Sequence, residues 1–318
     1  MSSLFFTNTY WSLPRLIKLS ERQSLGGIAI LAGREEELIE LVRFAKATKV
    51  PLLLLKSSDF LQDLRSFVQS QRITRGYCLG FPEKITLESI RLFEDGIWNF
   101  HFGALPTYAG PDPLFWILKN GEKTVTLVCH RMDENWDAGC LLKQVVVPIF
   151  PGENYGMLGA RLSQKTAEMI DSMLSDTTLS EKAIKLSPNP KPTRRPRLDD
   201  LLIDWENQSS DQIENLVNAC NPSYGGARST FGSAQIHILE VSPAMVRDTA
   251  LFGPGSIVHA TPEDGLFVLC SDYKYLKINI LKTPECILSG SKLAALGLKK
   301  GTKLGKTTHL AKNSILIS

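Results

Sequence analysis

The stretch WNFHFGALP, Trp98 to Pro106, decides how this chain is read. It continues the hydrophobic Gly96-Ile97-Trp98 run, and a Gly and a Pro then end any regular structure. Along a strand, residues two apart point to the same face. Asn99 and His101 therefore project side by side from a strand's carboxyl end. An amide that cannot ionise beside an imidazole that can is a pairing suited to a reacting group.

Outward from this stretch, short apolar runs alternate with amphipathic periods. Ser3–Thr7, Gly27–Leu31, VPLLLLK (50–56) and GYCLGFP (76–82) read as strands. YWSLPRLIKL (10–19) reads as a helix with Pro14 in its first turns. REEELIELVRFAKATK (34–49) and SDFLQDLRSFVQS (58–70), the latter capped by Ser58 or Asp59, read as two more. Beyond it, DPLFWILKNGE (112–122) is a helix ending near Gly121. KTVTLVCHRM (123–132) and CLLKQVVVPI (140–149) are adjacent strands, partly antiparallel, and NYGMLGARLSQKTAEMIDSML (154–174) is a long helix. The alternation predicts an α/β, Rossmann-like, mostly parallel sheet with helices on both faces. The first strand-to-helix turn, FFTNTYWSLP (5–14), has no GxGxxG, and Gly26-Gly27 precedes a strand instead of opening a helix. Dinucleotide and P-loop chemistry are not indicated.

Composition changes at KLSPNPKPTRRPRLDD (185–200), with four Pro and five Lys or Arg and no apolar period. It reads as an extended linker. The expected organisation is a catalytic domain at 1–185, a linker at 186–203 and a second domain at 204–318. That domain opens with a short capped helix, SSDQIENLVNACNP (209–222). SAQIHILEV (233–241), GSIVHAT (255–261), GLFVLCS (265–271) and YLKINILK (275–282) then suggest a small β-barrel or sandwich.

The chain has 318 residues, 43% hydrophobic and 22% charged, enough for two globular cores. A net charge of +3 is too small to argue for nucleic acid as a partner. The six Cys form no CxxC pair and lie mostly in apolar runs, which predicts buried free thiols. No apolar stretch reaches membrane-spanning length. MSSLFFTNTYW lacks the basic start and long apolar region of a signal peptide, so a cytoplasmic protein without membrane contact is expected.

HRMDENWDAG (130–139) ends another strand as an acidic loop. Its Asp137 stands just before Ala138-Gly139, where the chain must turn, and can bring a carboxylate toward His101. Asn99, His101 and Asp137 together suit acyl transfer, with donors for an oxyanion and a place to hold a proton. No Ser or Cys nucleophile occupies the motif, so the attacking group comes from the substrate. His130, Asp133 and Asp137 match no standard metal spacing, and no metal is expected. His237, His259 and His309 read as incidental.

NFHFGALPTYAGPDPLFWILKNGE (99–122) followed by VTLVCHRMDENWDAG (125–139) resembles the 10-formyltetrahydrofolate-dependent formyltransferases. The shared pattern is Asn-x-His ending a strand, a short Leu-Pro turn with a Gly a few residues later, and an Asp just before a Gly. LLIDWENQSSDQIENLVNACNPSYGGA (201–227) is similar to the start of the C-terminal domain of methionyl-tRNA formyltransferases, and KKGTKLG (299–305) to its closing segment. The resemblance implies the formyltransferase fold with an OB-like barrel, and 10-formyltetrahydrofolate as formyl donor. It implies that Asn99 and protonated His101 stabilise the tetrahedral oxyanion. Asp137 holds His101 and helps remove the proton of the attacking amine. The pterin would sit against Leu79, Gly80, Phe81 and Pro82 and the loop of Arg131, Met132, Asp133, Glu134 and Trp136, mostly through backbone bonds. Leu105 and Pro106 would border it. No metal is implied.

The sequence departs from the family pattern in three places. Tyr108-Ala109-Gly110 replaces the commoner Tyr-Arg-Gly, and Phe102-Gly103-Ala104 replaces a Pro-Ser-Leu-like stretch. The tRNA-acting members carry a long basic insertion after the second strand, where this chain has the short, acidic ILAGREEELIE (30–40). Phosphate contacts dominate nucleic-acid affinity, so this loop argues against tRNA. KPTRRPRLDDLLIDW (191–205) is more similar to the linker of members acting on small amines, the amino-sugar formyltransferases among them. The expected partners are folate and a small amine acceptor such as a nucleotide-linked amino sugar. Methionyl-tRNA is the alternative, and a folate-binding protein without turnover is a second. The oligomeric state is left open.

Overall fold

The computed structural model describes residues 2–175, 184–187, 191–246 and 252–305. His309 and residues 188–190 of the linker lie outside them. The chain divides into two compact units. The first holds Met1–Pro113, Thr124–Pro148 and Gly159–Arg194. The second holds Leu114–Lys123, Ile149–Leu158 and Arg195–Ser318.

The first unit is built on eight strands: β1 (Ser2–Thr7), β2 (Leu25–Leu31), β3 (Leu52–Leu55), β4 (Ile73–Leu79), β5 (Ile97–Phe102), β6 (Thr124–Arg131), β7 (Cys140–Pro148) and β8 (Ile184–Lys185). Their order is β3-β2-β1-β4-β5-β6-β7-β8. The first five run parallel, and β6, β7 and β8 add antiparallel. The helices in chain order are α1 (Leu13–Glu21), α2 (Ile39–Thr48), α3 (Phe60–Ser70), α4 (Leu87–Ile90), α5 (Pro113–Lys119) and α6 (Tyr155–Leu174), of which α5 beyond Pro113 and α6 up to Leu158 fall in the second unit. Neighbouring residues of β4 separate the two faces of the sheet. Cys78 joins Leu4, Phe6 and Ile97 in a cluster closed by Leu64 and Val68 of α3. Tyr77 turns to the other face, where its ring lies 6.0 Å from the guanidinium of Arg15 on α1.

In three places the local structure differs from the sequence reading. β2 begins at Leu25, so Gly26 and Gly27 both lie inside it and neither marks its start. A Cβ at Gly27 would stand 2.5 Å from the Phe67 ring, and one at Gly26 would stand 2.0 Å from the Ser2 hydroxyl, so both are packing residues of a close-set strand. The helical period from Arg34 becomes helix only at Ile39. Arg34 pairs with Glu37 at 2.6 Å, the Tyr10 hydroxyl takes the Glu37 carbonyl, and the Leu41 N–H turns to Leu38 at 2.9 Å. Asp59 occupies the N-cap of α3 without capping by its side chain, because its carboxylate accepts from the Ser58 hydroxyl at 2.8 Å.

The second unit carries α7 (Ser210–Cys220), opened by a capping box between Ser209 and Gln212. Its strands are β9 (Ala227–Phe231), β10 (Ala234–Ala244), β11 (Ile257–Thr261), β12 (Gly265–Leu269), β13 (Tyr275–Lys282), β14 (Ile287–Ser289) and β15 (Leu304–Gly305), with α8 (Gly290–Ala295) between the last two. The order is β11-β12-β13-β10-β9-β15, with β14 beside β13. Leu304 N–H reaches the Gly255 carbonyl at 2.8 Å and Ile257 N–H reaches Thr302 at 2.8 Å. These bonds join the last strand to the entry of β11 and curl the sheet into a small barrel, which leaves few open edges. Ile238, Ile257, Val268, Leu276 and Ile278 fill its interior. Four Cys are buried free thiols, Cys140 is half-buried and Cys286 is exposed. Among the described residues no helix is long and apolar enough to cross a membrane.

One buried charge ties the back of the sheet together. Arg15 is fully buried and donates to Asp171 of α6 at 2.8 Å, while its Nε and Nη2 find no partner. Lys18 and Arg22, both well exposed, also face Asp171, at 3.3 and 3.4 Å, and are worth little. Removing Asp171 leaves a buried guanidinium uncompensated. Asp171→Ala is expected to lower the urea-unfolding free energy by about 3 kcal/mol, and Asp171→Asn by less. A loss for the alanine variant under about 1 kcal/mol would mean that Arg15 is solvated in solution.

Candidate active site

The site forms at the carboxyl end of β5 and is completed by two loops. On β5, Asn99 and His101 share one face, as strand geometry requires. The antiparallel pairing of β6 sets His130 directly opposite Asn99. After β6 the chain makes the 132–139 turn and re-enters the sheet as β7. Gly139 permits this return, since a Cβ there would lie 1.7 Å from the Arg131 carbonyl oxygen. Asp137 takes the left-handed conformation, φ 51°, which Asp tolerates better than most residues.

That turn delivers the Asp137 carboxylate among two imidazoles, an amide and a backbone N–H. Its Oδ1 stands 3.7 Å from His101 Nδ1, 3.6 Å from His130 Nε2 and 3.5 Å from Asn99 Nδ2. Its Oδ2 accepts from the Gly110 N–H at 2.8 Å. His101, His130 and Asp137 are 7%, 1% and 8% exposed. Burial by itself would raise the Asp137 pKa. The neighbouring His101, the nearby His130 ring and the Gly110 N–H outweigh it and hold the carboxyl at about 2.

Hydrogen bonds fix where the protons sit. His101 Nε2 is 2.7 Å from the Tyr108 carbonyl oxygen, which can only accept, so Nε2 carries a proton. Asn99 Nδ2 donates to His130 Nε2 at 3.0 Å. A neutral His130 then bears its proton on Nδ1, which is buried without a partner. The nearest thiol in register is Cys78, paired with Asn99 across β4 and β5. Burial pushes it up to about 12, the Phe81 backbone bond opposing and Asp137 adding, so it stays protonated and inert as a nucleophile.

The residues read from the sequence as a pterin pocket fall around this end of the sheet. Leu79 ends β4 level with Phe100, and Gly80 follows it with φ 63°. Phe81 and Met132 enter the same apolar cluster, which brings the 79–82 and 131–136 segments together. Leu79 and Phe81 spend their side chains in the core and offer a ligand mainly their backbone. Asp133 accepts from Asn135 N–H at 2.8 Å within its own loop. Pro82, Arg131, Glu134 and Trp136 are exposed. The Leu105–Pro106 peptide is cis, at the start of the turn that carries Tyr108 and Gly110. Among the described residues no group of three or more His, Cys, Asp or Glu could hold a metal.

His130, the Tyr108 carbonyl and the Gly110 N–H are absent from the sequence reading as site groups. His130 becomes visible only through the β5–β6 register. The two backbone groups carry no side-chain signal at all. Chemically, the arrangement is a buried anion held among two imidazoles and an amide, with no competent thiol nearby. It can hold a proton and present N–H groups to a developing negative charge.

Comparison with known proteins gives a consistent picture. Residues 32–174 match the family described as formyl transferase, and residues 197–294 match the formyl transferase C-terminal domain. The chain is 32% identical to a methionyl-tRNA formyltransferase of Geobacter metallireducens, over 96% of this chain and 99% of that one. It is 24% identical to the enzyme of the same name from Halothermothrix orenii, over 96% and 100%. Among solved structures, HypX from Aquifex aeolicus in complex with tetrahydrofolic acid superposes with a TM-score of 0.64 at 16% identity. That match covers 94% of this chain but spans only 48% of HypX. The sugar 3N-formyl transferase WlaRD superposes with a TM-score of 0.60 at 15% identity, over 87% and 96%. Both likenesses speak for the fold. With two matching domains and a relative of 32% identity along its whole length, the chain belongs to the formyltransferase family of folate-dependent enzymes.

Proposed function

We propose that this enzyme transfers the formyl group of 10-formyltetrahydrofolate directly to a primary amine, with Asn99, His101 and Asp137 as the reacting set. The observation that carries the reading is the buried Asp137 carboxylate within 3.7 Å of both His101 and Asn99 at the carboxyl end of β5, where open α/β sheets bind their ligands. The amine attacks the formyl carbon, its proton passes toward Asp137, and the bond from carbon to the folate nitrogen breaks as that nitrogen is protonated. Asn99 supplies the hydrogen bond to the oxyanion. His101, anchored by Tyr108 at Nε2 and facing Asp137 at Nδ1, acts through its positive charge. The protonated Cys78 supports direct transfer without an acyl-enzyme.

For the acceptor we favour a small amine, such as one on a nucleotide-linked sugar. The loop after β2 supports this: Glu35, Glu36 and Glu37 stand where a tRNA-gripping insertion would need Lys and Arg. Methionyl-tRNA is the second reading, favoured by the end-to-end similarity to enzymes of that name. Steady-state assays of tetrahydrofolate release with amino-sugar nucleotides and with methionyl-tRNA decide between them. Binding of methionyl-tRNA is expected to be weak, with a shallow salt slope; efficient formylation of it would reverse the choice.

Two further outcomes test the site itself. Asn99→Ala and His101→Ala are each expected to lower kcat by about a hundredfold or more, with folate affinity little changed; wild-type turnover in either removes that residue from the reaction. Asp137 carries a stability signature as well. Its folded pKa of about 2 lies below the unfolded value, so its contribution is fully present above about pH 4 and is lost as pH falls toward 2. Asp137→Asn should therefore lower unfolding free energy by about 2 kcal/mol at neutral pH, and the gap should narrow between about pH 4 and pH 2. A gap independent of pH would show that the carboxylate is not held by charge.

A further inference from the structure

The extended linker meets the candidate site at the Ala109–Gly110 peptide. Thr193 N–H and Thr193 Oγ1 both donate to the Ala109 carbonyl, each at 2.8 Å. The N–H of that same peptide unit belongs to Gly110 and donates to Asp137 Oδ2 at 2.8 Å. Gly110 is held so close that a Cβ there would lie 2.2 Å from the Thr193 carbonyl oxygen, and its φ is 108°. The preceding carbonyl, that of Tyr108, accepts from His101 Nε2 at 2.7 Å. One short turn thus meets both His101 and Asp137, and the linker grips that turn on its far side. Two donors on an amide oxygen polarise the group and make its N–H a stronger donor.

We infer that Thr193, in the linker, is a positioning residue for formyl transfer, acting through the Ala109–Gly110 peptide to hold and strengthen the Gly110 hydrogen bond to Asp137. The inference rests on the proposed role of Asp137. Thr193 needs no contact with substrate to act. Its hydroxyl supplies one of the two donors, and its backbone N–H remains in any variant that keeps the linker in place. The linker is then a brace of the site as well as a tether, two residues before the chain enters the second unit at Arg195.

The test compares Thr193→Val, which keeps the shape and removes the hydroxyl, with Thr193→Ser, which restores it, in the full chain. Carbon-13 NMR of the Asp137 carboxyl and the proton shift of the Gly110 amide are followed alongside kinetics. The titratable groups facing Asp137 are His101 from β5, His130 from β6 and Cys78 from β4, all unchanged in both variants. In Thr193→Val the Asp137 titration should move upward and the Gly110 amide proton upfield. kcat should fall about threefold to tenfold while KM for 10-formyltetrahydrofolate changes less than about twofold. Thr193→Ser should return all three toward wild type. An Asp137 titration and Gly110 shift at wild-type values in Thr193→Val overturn the inference, whatever the rates. Shifts that move without any fall in kcat also overturn it. Asp137→Asn then separates the cases: inactive, it leaves the proposed site standing without Thr193; active, it removes Asp137 from the reaction.

Discussion

A carboxylate taken out of water must be surrounded by donors, and this requirement organises the catalytic unit around Asp137. Two strands and two loops converge to meet it. β5 brings Asn99 and His101, β6 sets His130 against Asn99, and the turn after the cis Leu105–Pro106 peptide brings the Gly110 N–H. The antiparallel addition of β6 is the architectural step that makes this possible. Its register sets His130 opposite Asn99 and its exit carries the chain into the loop that bears Asp137. Gly139 then lets the chain return within contact of Arg131, and the return aims Asp137 inward.

The same anion explains the proton arrangement. Asn99 cannot ionise, so it can lie between a carboxylate and an imidazole without changing charge. His101 is pinned at Nε2 by a backbone carbonyl, which leaves Nδ1 on the carboxylate side. His130 sits with one nitrogen satisfied and the other orphaned in the interior. An orphaned buried donor costs free energy, and its presence beside the proposed reacting set fits the wider observation that strain and unmet bonds gather at functional sites.

Much of this was legible in the sequence. Asn99 and His101 stand two apart at the end of an apolar run, and a period of two places them on one face whatever the rest of the fold does. Asp137 before Ala138-Gly139 was legible as a turn carboxylate. The alternation of strands and helices announced the sheet. Register was not legible: nothing local in TVTLVCHR says which residue of β5 faces His130. Backbone partners were not legible either, because Tyr108 and Gly110 act through groups that every residue carries. Gly26 and Gly27 misled for a related reason. Gly in a sequence signals a turn more often than a strand squeezed by its neighbours, and only the positions of Phe67 and Ser2 reveal the squeeze. The acidic run at Glu35–Glu37 carries a helical period, yet with Tyr10 on the Glu37 carbonyl and Arg34 paired to Glu37 the helix begins only at Ile39.

The strand order has a consequence for how the chain reaches this state during synthesis. β1 lies in the middle of the sheet, between β2 and β4, and Ser3–Thr7 are all buried there. β2 and β3 emerge soon after it and can cover one edge by local βαβ units. The other edge stays bare until Ile73–Leu79 have been made, and Asn99 has no floor to stand on before then. A nascent chain therefore presents the open edge of a strongly apolar strand, LFF, for the time it takes to add some tens of residues, at roughly 5–20 residues per second. Such an edge is a template for wrong pairing, and its protection on the ribosome falls to chaperones or to the speed with which β4 arrives.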